Sequence, residues 1–208
     1  MYSQNNEEEI ISRKFDGLVG TFLDIGAFDG VNLSNTRLLS EIGWSGVMVE
    51  GSSFSFHKLF DLYAGNEKIT LINAMISKEI IPANKIVKMW ESPNSALSTV
   101  DFDNFKKWEK YVQDHSEGGI GFSEIYVPIV PFDEIIRICL EKHQTVDFVS
   151  IDIEGGSVDI AKQFNPDQFW TNMICVEHDG RDEELVEHFR PMGFKVDLMN
   201  AENLIVSR

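Results

Sequence analysis

Cysteine is nearly missing from this chain: there are two in 208 residues, Cys139 and Cys175, with no C-x-x-C spacing between them. Both sit in apolar runs, so buried, reduced thiols suited to a reducing compartment are expected. Positive charge is also scarce. Lys and Arg total 18 against 34 Asp and Glu, a formal net charge of -16. Such a surface repels phosphate backbones, and a nucleic-acid substrate is not expected. The lysines do not cluster, and Lys106, Lys107 and Lys110 read as a solvated helix face among acidic neighbours. No apolar run is long enough to cross a bilayer. Met1–Lys14 lacks the basic and apolar regions of a signal peptide, so a cytoplasmic location is expected. Repeats, low-complexity stretches and linkers are missing too.

What is present suits one packed domain over residues 1–208. Hydrophobic residues make up 43%, with 15 Phe and 4 Trp as bulky core material. Residues 6–14 read as a helix with acids in its first turn. Residues 20–25, 46–50 and 69–76 read as buried parallel strands, separated by helices at 34–42 and 53–64. Strand, helix, strand, helix, strand is half of a doubly wound sheet. The pattern breaks over 78–131, where 85–91 and 124–130 alternate as strands and 101–114 reads as a charged amphipathic helix. This segment is expected to be a hairpin-and-helix insertion. The winding then resumes with helices at 132–143, 157–164 and 182–192, strands at 146–153 and 172–178, and a closing hairpin at 194–199 and 203–207. The expected fold is α/β and Rossmann-like, with a mostly parallel seven-stranded sheet and an antiparallel last strand.

The first chemical signal is Asp24-Ile-Gly26-Ala27-Phe28-Asp-Gly30, a glycine turn at a strand end. Gly26 allows a sharp turn and a close ligand approach. Glu50 ends the second strand, 20 residues after Gly30, where a carboxylate can accept from both hydroxyls of a ribose. A dinucleotide would want G-x-G-x-x-G and an uncharged turn, whereas Asp24 and Asp29 would repel a diphosphate. S-Adenosylmethionine, with its ammonium and sulfonium, suits the acids better. Ser34, Asn35 and Thr36, at a helix start, are placed to hold its carboxylate.

These residues resemble the FkbM family of methyltransferases. The resemblance runs through Tyr2-Ser-Gln4, Gly20–Gly30, Ser34-Asn-Thr36, Gly43-Trp-Ser-Gly-Val-Met-Val-Glu50, Ser150-Ile-Asp-Ile-Glu-Gly155, Glu177-His178 and Asn203-Leu-Ile-Val206. It implies S-adenosylmethionine as methyl donor and O-methylation of a hydroxyl on a sugar, glycan or related small molecule. It further implies that Asp24, Gly26 and Gly30 frame the methionine end and Glu50 holds the ribose. Asn73 and Ala74 would lie near the adenine, and Asp152 would face the methyl. Two positions depart from such members. Gly51-Ser52 follows Glu50 where Glu-Pro is usual, and Gly156-Ser157 stands where Ala-Glu is common.

An alcohol needs a base for methyl transfer, and two strand ends offer candidates. Asp152 is the first choice, followed by Glu154 and His178. Strand alternation would place Asp152 and Glu154 on one face. A divalent cation held by Asp152, Glu177 and His178 is a less favoured arrangement. His57, His115, His143 and His188 read as surface residues. Trp90, Trp108 and Tyr111 suit either hairpin packing or a lid over the acceptor, since aromatics stack on sugar faces. Two other functions stay open at this point: a nicotinamide-dependent (NAD) oxidoreductase, and a non-catalytic S-adenosylmethionine-binding module.

Overall fold

A computed structural model describes residues 2–77, 85–93 and 97–208. A helix, α1 (Glu7–Phe15), leads into a central sheet built from β1 (Thr21–Ile25), β2 (Ser45–Glu50), β3 (Ile69–Asn73), β7 (Phe148–Ile151), β8 (Met173–Glu177), β9 (Lys195–Met199) and β10 (Asn203–Ser207). Its strand order is β3-β2-β1-β7-β8-β10-β9. Pairing is parallel from β3 through β8, and β10 runs antiparallel to both β8 and β9. The order reverses beside β1, and the carboxyl ends of the strands at such a switch point are where α/β sheets bind ligands. The chain therefore has the expected Rossmann-like architecture, including the reversed last strand.

The helices that cover the sheet are α2 (Arg37–Glu41), α3 (Ser53–Tyr63), α5 (Phe132–His143), α6 (Ser157–Ala161) and α7 (Asp182–Phe189). Every residue of β1 and β10 is buried, as expected for strands covered on both faces. Two apolar clusters fill the two sides. One is centred on Leu23, Val149 and Phe132, the other on Phe22, Trp44 and Leu59. Each fully buried Leu, Ile or Phe contributes about 2 kcal/mol by its removal from water. Both cysteines are free and buried.

Three expectations shift. The strand anticipated over 69–76 is two strands. The main-sheet strand ends at Asn73, with Ala74 N donating to Glu50 O as its last rung, and β4 (Met75–Ser77) joins a second sheet. The apolar run continues through the break, so hydrophobicity could not reveal it. The helix anticipated from Ser34 begins at Arg37, because Ser34 Oγ accepts from Thr36 N and Arg37 N and caps it from outside. The strand anticipated to 153 ends at Ile151, and a turn follows.

The second sheet has the order β4-β6-β5, from β5 (Lys85–Glu91) and β6 (Ser123–Pro131) paired antiparallel, with β4 parallel to β6. Between β5 and β6 lies α4 (Phe102–His115), capped by Asp101, whose Oδ1 accepts from Asn104 N at 2.9 Å. The hairpin-and-helix reading of this insertion is met over 85–93 and 97–131, and its first part, 78–84, lies outside the described residues. Trp90 is a packing residue here, stacked on Phe105 with ring centres 4.8 Å apart.

Candidate active site

The carboxyl ends of β1, β2, β7 and β8 open into a cavity of about 1060 Å³, which the insertion closes on one side. Its wall at β1 is the glycine turn. Gly26 has φ +85°, and a Cβ there would lie 1.8 Å from the backbone oxygen of Asp152. Only glycine lets the ends of β1 and β7 approach this closely. The amides of this turn are used internally. Gly26 N and Ala27 N donate to Val49 O, Gly30 N donates to Ala27 O, and Phe28 N donates to Glu50 Oε2 at 2.8 Å. Phe28 is held at φ +50°, a costly conformation for a bulky side chain, and that orients its amide toward Glu50.

Glu50 is the anchor of the site. Its side chain is 8% exposed, and its other oxygen accepts from Ser52 N at 2.6 Å. A carboxylate has about four acceptor positions, so two remain for a ligand. Burial pushes Glu50 up to about 7 against the lowering effect of the Ser52 and Phe28 amides, with the charge of Asp24 adding to the rise. Asp24 is also buried and is raised to about 6 by its burial, opposed by hydrogen bonds from Thr36 and Ser150. Thr36 Oγ1 donates to Asp24 Oδ2 at 2.5 Å.

The expected cofactor residues divide by position. Asp24, Gly26, Ala27, Phe28, Asn35, Glu50, Gly51, Ala74 and Asp152 line the cavity. Gly30, Thr36, Ser52 and Asn73 stand behind it. Gly30 packs on α3, where a Cβ would meet Leu59 at 2.6 Å. Ser52 caps α3 by accepting from Ser55 N, and its hydroxyl donates to Glu91. Asn73 Nδ2 donates to Glu50 O at 2.8 Å, so its amide is committed to the backbone rather than pointed at an adenine. Asn35 reaches Ser150 Oγ. Gly51 lies against Met75, whose Sδ would be 2.2 Å from a Cβ. A larger residue at this position would require the Met75 side chain to move.

At the acid end, Asp152, Glu154, Glu177 and Asp179 all face the cavity. Asp152 and Glu154 share it because the chain turns after Ile151, not through strand alternation. Glu154 is raised to about 7, first by burial and then by the charges of Glu177 and Asp179, with Lys107 opposing. Burial and neighbouring carboxylates likewise hold Asp152 and Glu177 above the usual carboxylate range. Ser157 Oγ lies 3.2 Å from Glu177 Oε2.

His178 does not join them. It is 5% exposed, its Nε2 lies 3.1 Å from Asn200 O, and its Nδ1 accepts from Gly180 N at 3.0 Å. Both ring nitrogens are spent on backbone, which leaves no lone pair for a base. The arrangement of Asp152, Glu177 and His178 around a cation is therefore not assembled. Among the described residues, no group of three or more His, Cys, Asp or Glu is placed to hold a metal ion.

Some residues of the site were not legible as such. Lys107 lines the cavity rather than a purely solvated face, with its Nζ 4.6 Å above the Trp108 ring. Trp108 and Tyr111, which the sequence offers as lid or packing residues, line the same wall and pack edge to face. Met75, Met89 and Gln4 also reach the cavity. Of the histidines read as surface residues, His57 is open to solvent, while His143 and His188 are half-buried. The insertion is tied to the acid turn at two points. Thr99 Oγ1 donates to Glu154 O at 3.3 Å, and a Cβ on Gly155 would come within 2.4 Å of Asn104 Nδ2.

The family described as the methyltransferase FkbM domain matches residues 24–196. Among solved structures, methyltransferase FkbM from Methylobacillus flagellatus KT is similar at 13% identity and a TM-score of 0.47, over 91% of this chain and 44% of that one. The fibrillarin pre-rRNA processing protein of Methanococcus jannaschii is similar at 14% identity and a TM-score of 0.43, over 91% of this chain and 66% of that one. The chain thus spans less than half the length of the first of these structures. No curated protein matches it. Among the described residues, no helix is long and apolar enough to cross a membrane. On the family match over residues 24–196, the chain belongs to the FkbM methyltransferase domain family.

Proposed function

We propose that this domain transfers a methyl group from S-adenosylmethionine to a hydroxyl of a sugar, glycan or related small molecule. The observation that carries the reading is the buried Glu50 carboxylate. It is fixed by two amides, has acceptor positions to spare, and stands across one cavity from the strand-end acids.

The donor chemistry of the cavity fits the cofactor. The strand ends of β1, β2 and β7 present Asp24, Glu50 and Asp152, while the lysines of the wall come from α3, β5 and α4. A ligand carrying an ammonium, a sulfonium and a diol finds acceptors where it needs them. Glu50 would accept from the ribose hydroxyls. Asp24, held by Thr36, would face the methionine ammonium. Ala74 and Met75 would flank the adenine. When bound, the cofactor supplies an electrophilic methyl on a positively charged sulfur. Asp152 would take the hydroxyl proton, with Glu154 the next candidate. His178 would act by holding the turn after β8.

The same geometry disfavours a nicotinamide-dependent oxidoreductase. A diphosphate needs free amides at the glycine turn, and those of Gly26, Ala27, Phe28 and Gly30 are already donated within the protein.

The insertion would serve as the acceptor cap, with the Trp108 and Tyr111 rings offering a face to a sugar. The test is a labelled-methyl transfer assay over free sugars, glycans and other hydroxylated small molecules. Transfer to hydroxyl oxygen is the expected result. Cofactor binding without transfer to any acceptor would favour a non-catalytic module instead.

A further inference from the structure

Asp152 and Glu177 leave neighbouring strands at the same level. β7 and β8 pair in parallel with Ile151 opposite Val176, so the next residue on each strand carries a carboxyl to the same place. The two carboxyls open on the same cavity, each close enough to the other to shift its titration. Ser157 Oγ, which also reaches Ile153 O, lies 3.2 Å from Glu177 Oε2. Two carboxylates this close cannot both stay ionised, so one of them keeps a proton. The groups facing the pair deepen that effect. Asp24 on β1, Glu154 in the turn after β7 and Asp179 in the turn after β8 are acids, and Lys107 on α4 is the cation set against the last two.

We propose that Asp152 and Glu177 act as one pair sharing a single proton, with Glu177 the positioning residue whose proton holds one oxygen of Asp152 and leaves the other free for the acceptor hydroxyl. This rests on the methyl-transfer reading of the site. The oxygen–methyl bond forms as the carbon–sulfur bond breaks with its electron pair going to sulfur, and the hydroxyl proton passes to Asp152. The pair then holds two protons and returns one to water. Burial and mutual repulsion split the titration of such a pair into two steps. Below the lower step Asp152 is blocked. Above the upper step the two charges repel and Asp152 loses its brace. The rate should therefore rise and fall with pH.

Glu177→Gln keeps the shape and supplies a permanent donor. It should preserve the acidic limb of kcat/KM and abolish the alkaline one. Glu177→Leu removes the donor and should lower kcat on the order of tenfold, while S-adenosylhomocysteine binding stays within about twofold. In the protein without ligand, carbon-13 NMR of the side-chain carboxyls should show Asp152 titrating in two steps, and in one step in Glu177→Gln. An alkaline limb that survives in Glu177→Gln, or an Asp152 that titrates in a single step in the unaltered protein, overturns the proposal. If no acceptor is ever methylated, the NMR titration still decides the pair, and only the reading of the activity falls.

Discussion

Replacing Glu50 with Gln separates two consequences of one buried carboxyl. An acid whose folded value lies above its unfolded value stabilises the fold while protonated and loses that contribution as pH rises. For Glu50 the ordinary value is 4.5 and the folded value about 7. At about 1.4 kcal/mol per unit, its burial costs the fold about 3 kcal/mol between pH 5 and pH 8. The sign is fixed, because in that window the folded chain binds more protons than the unfolded one. Glu50→Gln removes this slope. It also turns an amide nitrogen toward Ser52 N or Phe28 N, which breaks one buried hydrogen bond at about 1–3 kcal/mol. The variant should therefore be less stable than the parent at pH 5 and close to it at pH 8. Urea unfolding at four pH values reads this directly. Calorimetry with S-adenosylhomocysteine should show at least about tenfold weaker binding, since one ribose bond is lost. A variant whose stability falls with pH as steeply as the parent's would refute the reasoning.

Other perturbations separate shape from chemistry. Gly26→Ala sets a Cβ 1.8 Å from a backbone oxygen at φ +85°. It should cost about 3 kcal/mol in urea unfolding, combining left-handed strain with overpacking, and a cost under about 1 kcal/mol would show that the strand ends can part freely. Trp108→Leu removes a ring from the cavity wall. It should raise the acceptor KM about five- to tenfold, in line with the loss of one aromatic stacking contact, and leave cofactor affinity unchanged. A change in cofactor affinity alone would move Trp108 out of the acceptor site.

Much of the fold is legible in the sequence because β1, β2, β7 and β8 are short, almost wholly buried apolar runs that lead into glycine or acid. The glycine turn is legible too, since the left-handed φ of Gly26 is a local demand on the backbone and Glu50 follows Gly30 at a readable spacing of 20 residues. What escapes is decided by contacts between distant segments. The break at Ala74 comes from a change of partner, since Met75–Ser77 pair with the distant β6 rather than with β2. Thr36 and Asn73 look like ligand contacts in the sequence, yet their side chains are taken up by Asp24 and by the backbone of Glu50. His178 looks like a base until Gly180 in its own turn and Asn200 in the final hairpin take up its two ring nitrogens. Lys107 sits among exposed charges in the sequence, and only the way α4 docks on Gly155 turns it toward the acids.

The most direct measurement of the central claim is calorimetric titration of the unaltered protein with S-adenosylhomocysteine and, separately, with NAD. The account predicts a single site for S-adenosylhomocysteine, weakened by Glu50→Gln, and no heat from NAD. NAD binding at a site lost with Glu50, or a cavity that takes up neither ligand, would contradict it.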